Sequence, residues 1–193
     1  MPDPTMHHEL TEEFAAPLYA QAVAVDWTRD LDTNTGFAIH IRPARPGDER
    51  ALSELFAKLT AEDLRHRFLT AVRHVSQDVL KAMARNDNPH AISFLAFERF
   101  TGELVAAAQL VADSDYSSAE FAVSTRADRK SYGVSWALLD HMVRYAEAAG
   151  IGRVTSLETS DDDKALKLER EMGFTVRACP DDATLMIAEK QLR

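Results

Sequence analysis

The stretch Arg126-Ala-Asp-Arg-Lys-Ser-Tyr-Gly-Val-Ser135 lies between two different hydrophobic periods. Before it, Ser118–Ser124 alternates as a strand does: Ala119, Phe121 and Val123 share one face, and Ser118, Glu120, Ala122 and Ser124 share the other. After it, Val134, Leu138, Met142, Tyr145 and Ala149 recur at helical spacing, and Gly150 stands where a helix-ending glycine belongs. Strand, loop and helix in that order bring the unpaired N–H groups and positive dipole end of the helix beside the end of the strand. Arg126, Arg129 and Lys130 add positive charge, and Gly133 would let a bulky anion approach the backbone. Together these predict a cradle for a phosphate or pyrophosphate, with a solvated basic loop as the plainer alternative. It is not a P-loop, because Gly-Lys-Ser/Thr is absent.

Upstream, Phe37–Arg42 reads as a short strand ended by Pro43 and Pro46. Leu52, Leu55, Phe56 and Leu59 form one helical stripe. Thr60 with Asp63 three residues on resembles a capping box opening a second helix through Phe68. Ser76 starts a third, which stops at Asn86–Pro89. His90–Phe100 and Glu103–Ala112, joined by Thr101-Gly102, read as a hairpin. Downstream, Arg153–Glu158 is a strand, Ser160–Met172 a helix ended by Gly173, and Phe174–Ala178 and Thr184–Lys190 are the last strands. The order predicts an α/β (α+β) domain over residues 37–193, with a mixed, mostly antiparallel sheet of about six to seven strands flanked by helices. Residues 1–36 read as an N-terminal extension: a weak helix or docked arm, then a polar linker at Asp30–Gly36.

Composition narrows the function classes. The chain has 193 residues, of which 46% are hydrophobic and 27% charged, which excludes disordered and collagen-like classes. Its net charge of −9 argues against nucleic acid as a partner. No apolar run is long enough to span a bilayer, and the start is acidic and polar, unlike a secretory signal. No membrane partner and a cytoplasmic location are therefore expected. A single cysteine, Cys179, allows no internal disulfide. There are only seven glycines, and six of them fall at turns or helix ends. Gly133 alone stands inside a helix start, so it is the glycine that points to a ligand.

The segments Ala119-Glu-Phe-Ala-Val123, Arg129-Lys-Ser-Tyr-Gly-Val-Ser-Trp-Ala-Leu-Leu139 and Glu169-Arg-Glu-Met-Gly-Phe174 resemble the GNAT superfamily of acyl-CoA-dependent N-acyltransferases. Ile41-Arg-Pro-Ala-Arg-Pro-Gly-Asp48 and Leu59-Thr-Ala-Glu-Asp-Leu-Arg-His-Arg-Phe68 are similar to the acyltransferase domain of bacterial protein lysine acetyltransferases. The resemblance covers about Phe37 to Lys190. It implies acetyl-CoA as co-substrate and direct transfer of the acetyl group to a primary amine, with a protein lysine as the expected acceptor. It implies Glu120 as the catalytic base, and a strand that splays from its neighbour so that a backbone N–H near Val123 polarises the thioester carbonyl. It places the coenzyme against Phe121, Ala122, Val123, Arg129, Lys130, Ser131, Tyr132, Gly133, Val134 and Ser135.

The cofactor loop of that superfamily runs Arg/Gln-x-x-Gly-x-Gly/Ala. Here Gly133 matches strictly, while Lys130 and Ser135 depart from it. The superfamily's Tyr that protonates the leaving thiolate falls at Glu169, so that phenol is missing. A non-catalytic acyl-CoA sensor or interaction module, and a small-molecule amine acetyltransferase, remain as alternatives, as does a homodimer. The amine must lose a proton before it attacks, which is why a base is needed, and partial burial of Glu120 is expected to raise its basicity. Gly133-Val-Ser135 is not a serine-hydrolase elbow, because no strand directly precedes it and no His follows His141. The seven His show no metal-ligand spacing, and Asp161-Asp-Asp163 is ordinary helix-start chemistry, so no metal is expected.

Overall fold

Short local signals start and stop the elements. In the computed structural model, which describes residues 25–192, Asp48 precedes α1 (Glu49–Ala57). Thr60 Oγ1 accepts from the Asp63 N–H at 3.1 Å while Asp63 Oδ2 accepts from the Thr60 N–H at 3.2 Å, the reciprocal cap expected for α2 (Ala61–Phe68). Ser76 caps α3 (Gln77–Arg85), which ends at Asn86 in the left-handed conformation. The long helix α4 (Val134–Ala148) gives way to Gly150 at φ 77°. Asp162 caps α5 (Asp163–Glu171) by accepting from the Ala165 N–H at 3.1 Å.

The strands are β1 (Arg29–Asp32), β2 (Ala38–Pro43), β3 (Ala91–Glu98), β4 (Leu104–Ala112), β5 (Ala119–Thr125), β6 (Arg153–Thr159), β7 (Thr175–Ala178) and β8 (Leu185–Gln191). They form one sheet in the order β1-β2-β3-β4-β5-β6-β8-β7. Every neighbouring pair is antiparallel except β5 and β6, which run parallel. The strand period of two sorts the sheet into two cores. Phe94, Ala106, Ala108, Leu110, Ala119 and Phe121 face α4, with Leu138, Met142 and Tyr145 packed on them. Leu95, Leu104 and Ala107 face the other way, against Leu52, Leu55, Phe56, Leu64, Leu80 and Met83 of α1 to α3. Glu120 and Ala122 pair with Val111 and Gln109 of β4, so they belong to this second face.

Two expectations change. The sheet has eight strands, not six to seven, because Arg29–Asp32, which runs into the supposed linker, is an edge strand paired with Ala38–Ile41. Its polar sequence hid it: only Leu31 of its four side chains packs inward, and charged residues are normal on edges. The loop Ala127–Tyr132 is wound into a 3₁₀ helix. The earlier part of the expected arm, through residue 24, lies outside the described residues. No described helix is long and apolar enough to cross a membrane.

Candidate active site

Strands β5 and β6 pair only at Ala119 with Val154 and Glu120 with Thr155. Beyond Glu120 they part, while β5 keeps its pairing with β4 up to Thr125. Alternate residues of Phe121–Thr125 therefore turn backbone N–H and C=O groups toward the gap. The gap is a cleft of about 340 Å³. Phe121 to Thr125 line one wall and Leu157 and Glu158 the other; Trp136 and Leu139 of α4 and Lys164, Ala165, Lys167, Leu168 and Glu169 of α5 line the rest. From α2, Asp63, His66 and Arg67 cover it. The first N–H groups of α4 point here too, since the first intrahelical bond is made by Ala137 to the Gly133 carbonyl at 3.1 Å.

Of the residues expected at the coenzyme, Phe121, Ala122, Val123, Lys130, Gly133 and Ser135 line this cleft, and Arg129, Ser131, Tyr132 and Val134 do not. Val134 is buried in the core under α4. Tyr132 packs its ring on Phe37 at 5.0 Å, and its carbonyl accepts from Thr33 Oγ1 at 2.6 Å and Thr35 Oγ1 at 2.8 Å. Ser131 is exposed. Ser135 Oγ lies 2.9 Å from Thr125 Oγ1, a hydrogen bond that pins the helix start to the end of β5.

The free positive charge expected in the loop is already neutralised. Arg126 donates to Glu103 at 2.6 Å and Asp128 at 2.7 Å; Arg129 pairs with Asp128 at 2.7 Å and Glu98 at 3.3 Å. Lys130 is paired with Asp63. Burial works against the Asp63 charge, but Lys130 and the Thr60 cap outweigh it and hold this carboxyl below its usual range. Asp128 belongs to the loop itself, but Glu98, Glu103 and Asp63 lie far off in sequence, so the local stretch could not reveal them. What remains for an anion among the described residues is the α4 N-terminus, Lys164, and Lys167, which an exposed pair with Glu171 at 3.8 Å holds only loosely; no motif announced either lysine on the cleft wall.

Gly133 also has a structural reason. Its φ is 73°, and it both ends the 3₁₀ helix and precedes α4. A Cβ there would overlap Asn34 Oδ1 from the β1–β2 turn. So turn punctuation does require this glycine, contrary to the expectation above. Gly133→Ala should lower stability by about 1–2 kcal/mol, since a side chain in the left-handed region costs roughly 1 kcal/mol before any clash. Asn34→Gly in the same chain should recover only the clash. Thermal unfolding of the two variants checks this, and a Gly133→Ala protein as stable as the parent would refute it.

Glu120 is the last residue of β5 to pair with β6, so it stands at the vertex of the cleft. It is exposed, contrary to the partial burial expected. The buried carboxylates are elsewhere. Glu169 is 2% exposed, and one of its oxygens accepts from Ser156 Oγ. Its other oxygen, Oε2, is fully buried with the Glu158 carboxyl beside it. Burial, then repulsion by Glu169 and Asp162, pushes Glu158 well above the usual carboxylate range. Burial also raises Glu169, against the Ser156 hydrogen bond. Arg67, itself half-buried, donates to Gln109 Oε1 at 3.1 Å and feels the charges of both Glu120 and Glu158. Near the cleft mouth, His66 Nδ1 bonds Asp162 at 2.8 Å, and Arg65 reaches Asp161 at 2.7 Å. No cluster of three or more His, Cys, Asp or Glu suited to a metal occurs among the described residues.

A sheet opened at one parallel pair above a helix N-terminus invites comparison with known folds, and the profile of the acetyltransferase (GNAT) family matches residues 54–174. The chain belongs to the GNAT acetyltransferase family. An acetyltransferase of Pseudomonas aeruginosa is 25% identical over 163 residues, covering 83% of this chain and 87% of its own. The GNAT domain of S. lividans PAT superposes with a TM-score of 0.79 at 21% identity, covering 86% of this chain and 97% of that one. A Salmonella typhimurium GNAT-like structure, solved with its cofactor acetyl-CoA, gives a TM-score of 0.65 at 19% identity, covering 80% and 94%. The GNAT fold thus accounts for the splayed β5 and β6.

Proposed function

We propose that the chain is an acetyl-CoA-dependent N-acetyltransferase that moves an acetyl group directly onto a primary amine, with a protein lysine as acceptor. The observation that carries this reading is the parting of β5 and β6 immediately after Glu120, over the N-terminus of α4. The open backbone edge at Phe121–Val123 suits an extended amide-bearing arm, the helix start suits a pyrophosphate, and Lys164 and Lys167 suit further phosphate. Glu120 would take the proton of the attacking amine, through water given its exposure. A backbone N–H near Val123 would polarise the thioester carbonyl. The net charge of −9 and the carboxylates at the cleft favour a cationic acceptor such as lysine.

Titration of acetyl-CoA into the protein by calorimetry should give one site per chain, with binding that weakens as salt rises. A screen of lysine peptides and small amines should then show acetylation. No binding would end the reading; binding without acetylation of any amine would point to an acyl-CoA sensor. Acetylation of small amines alone would remove the protein lysine but keep the chemistry.

A further inference from the structure

The proposed base leaves the other end of the reaction without a proton source: a thiolate must depart from the thioester. Glu158 lies three residues past Thr155 on β6, and Val123 three residues past Glu120 on β5. Counted from that last parallel pair, the two stand at one level, about 10 Å above the vertex. The Glu158–Glu169 pair therefore faces the strand segment proposed to hold the thioester carbonyl, and the leaving sulfur is bonded to that same carbon. Both carboxyl groups line the cleft. Glu169 is 2% exposed and lies behind Glu158, which is half-buried and the more accessible of the two.

We propose that this carboxyl pair is a second catalytic group, with Glu158 giving the leaving sulfur its proton and Glu169, held by Ser156, as the positioning residue that orients it. This rests on the acetyl-CoA reading above. Two carboxyl groups buried side by side do not both ionise, so the pair retains one proton near neutral pH. Asp162 at the start of α5 adds negative charge that favours this, while Arg170 of α5 and Arg67 of α2 oppose it. As the amine nitrogen forms its bond to the acyl carbon, the carbon–sulfur bond breaks and its electron pair moves to sulfur. Glu158 passes its proton to that sulfur, leaving a neutral thiol. The surplus proton of the amine goes to Glu120 and on to water, and water re-protonates the pair as the thiol departs.

Glu158→Gln keeps the volume but has no acidic proton. It should bind acetyl-CoA within about threefold of the parent by calorimetry, lose at least about tenfold in kcat, and lose the descending limb of the kcat–pH profile. Glu169→Gln leaves Glu158 in place without its neighbour's charge, and should move that limb to lower pH. In the ligand-free protein at pH 7, infrared spectra should show a protonated-carboxyl stretch that Glu158→Gln abolishes. Parent-like kcat and pH profile in Glu158→Gln, an unmoved limb in Glu169→Gln, or no such stretch would each overturn the proposal. Absence of acetyl-CoA binding by the parent would instead fell the reading on which it rests.

Discussion

Glu120→Gln should lower kcat for the best amine acceptor by about 10²–10⁴-fold, the usual worth of a positioned general base, while acetyl-CoA affinity stays within about twofold. The split follows from where the side chain sits. Glu120 is at the vertex where β5 leaves β6, yet it does not line the cleft wall. Its loss therefore removes no contact to the coenzyme. It is also exposed, so Gln there should change stability by no more than about 0.5 kcal/mol, and a loss of activity cannot be blamed on folding. A further control uses an amine of low basicity, which is already neutral at pH 7. With no ammonium proton to remove before attack, the gap between variant and parent should narrow. Turnover unchanged in Glu120→Gln would show that the base is another group.

The parts of the fold legible in the sequence were those written in local chemistry. The Thr60–Asp63 box, the Ser76 cap and the Thr101-Gly102 turn each act within a few residues, and each marks its element as expected. The alternation in Ser118–Ser124 also sorted Phe121 and Glu120 onto opposite faces, because a pleat allows nothing else. Strand β1 was not legible. Arg29-Asp-Leu-Asp has no alternating pattern of its own, and it is a strand because the β2 edge offers it backbone partners and His40 Nδ1 donates to Asp30 at 2.6 Å.

The site divides along the same line. The Gly133 loop and Glu120 were visible because strand, loop and helix are consecutive. The state of the loop was not, because what neutralises Lys130 is Asp63 on α2, and what occupies the space above Gly133 is Asn34 of the β1–β2 turn. Glu169 was noticed only as a missing phenol. Its burial depends on Ser156 and Glu158, whose alternation along β6 looks like that of any half-buried strand. Long-range electrostatics has no sequence period, so a pair of carboxyl groups that share a cleft wall leaves no signature in the chain.

That pair has a consequence for the whole molecule, separable from catalysis. Burial holds both Glu158 and Glu169 above the carboxylate value of 4.5 that they return to on unfolding. In the pH range between, the folded protein binds more protons than the unfolded chain, so stability falls as pH rises. The pair's contribution is fully present below about pH 4.5 and is lost as pH climbs through neutrality. Each pKa unit is worth about 1.4 kcal/mol, so a rise of a single unit at each group already makes the pair cost on the order of 2–3 kcal/mol between pH 5 and pH 8.5, or roughly 5–10 °C in Tm for a chain of this size. The acidic surface also weakens the fold as pH rises, and it does so equally in any variant. Glu169→Gln removes only the pair's share: its Tm–pH curve should be flatter than the parent's, crossing it so that the variant is the more stable protein at pH 8.5. Parallel curves would mean that Glu158 and Glu169 are solvated or compensated in solution, and that the cleft holds no proton to give.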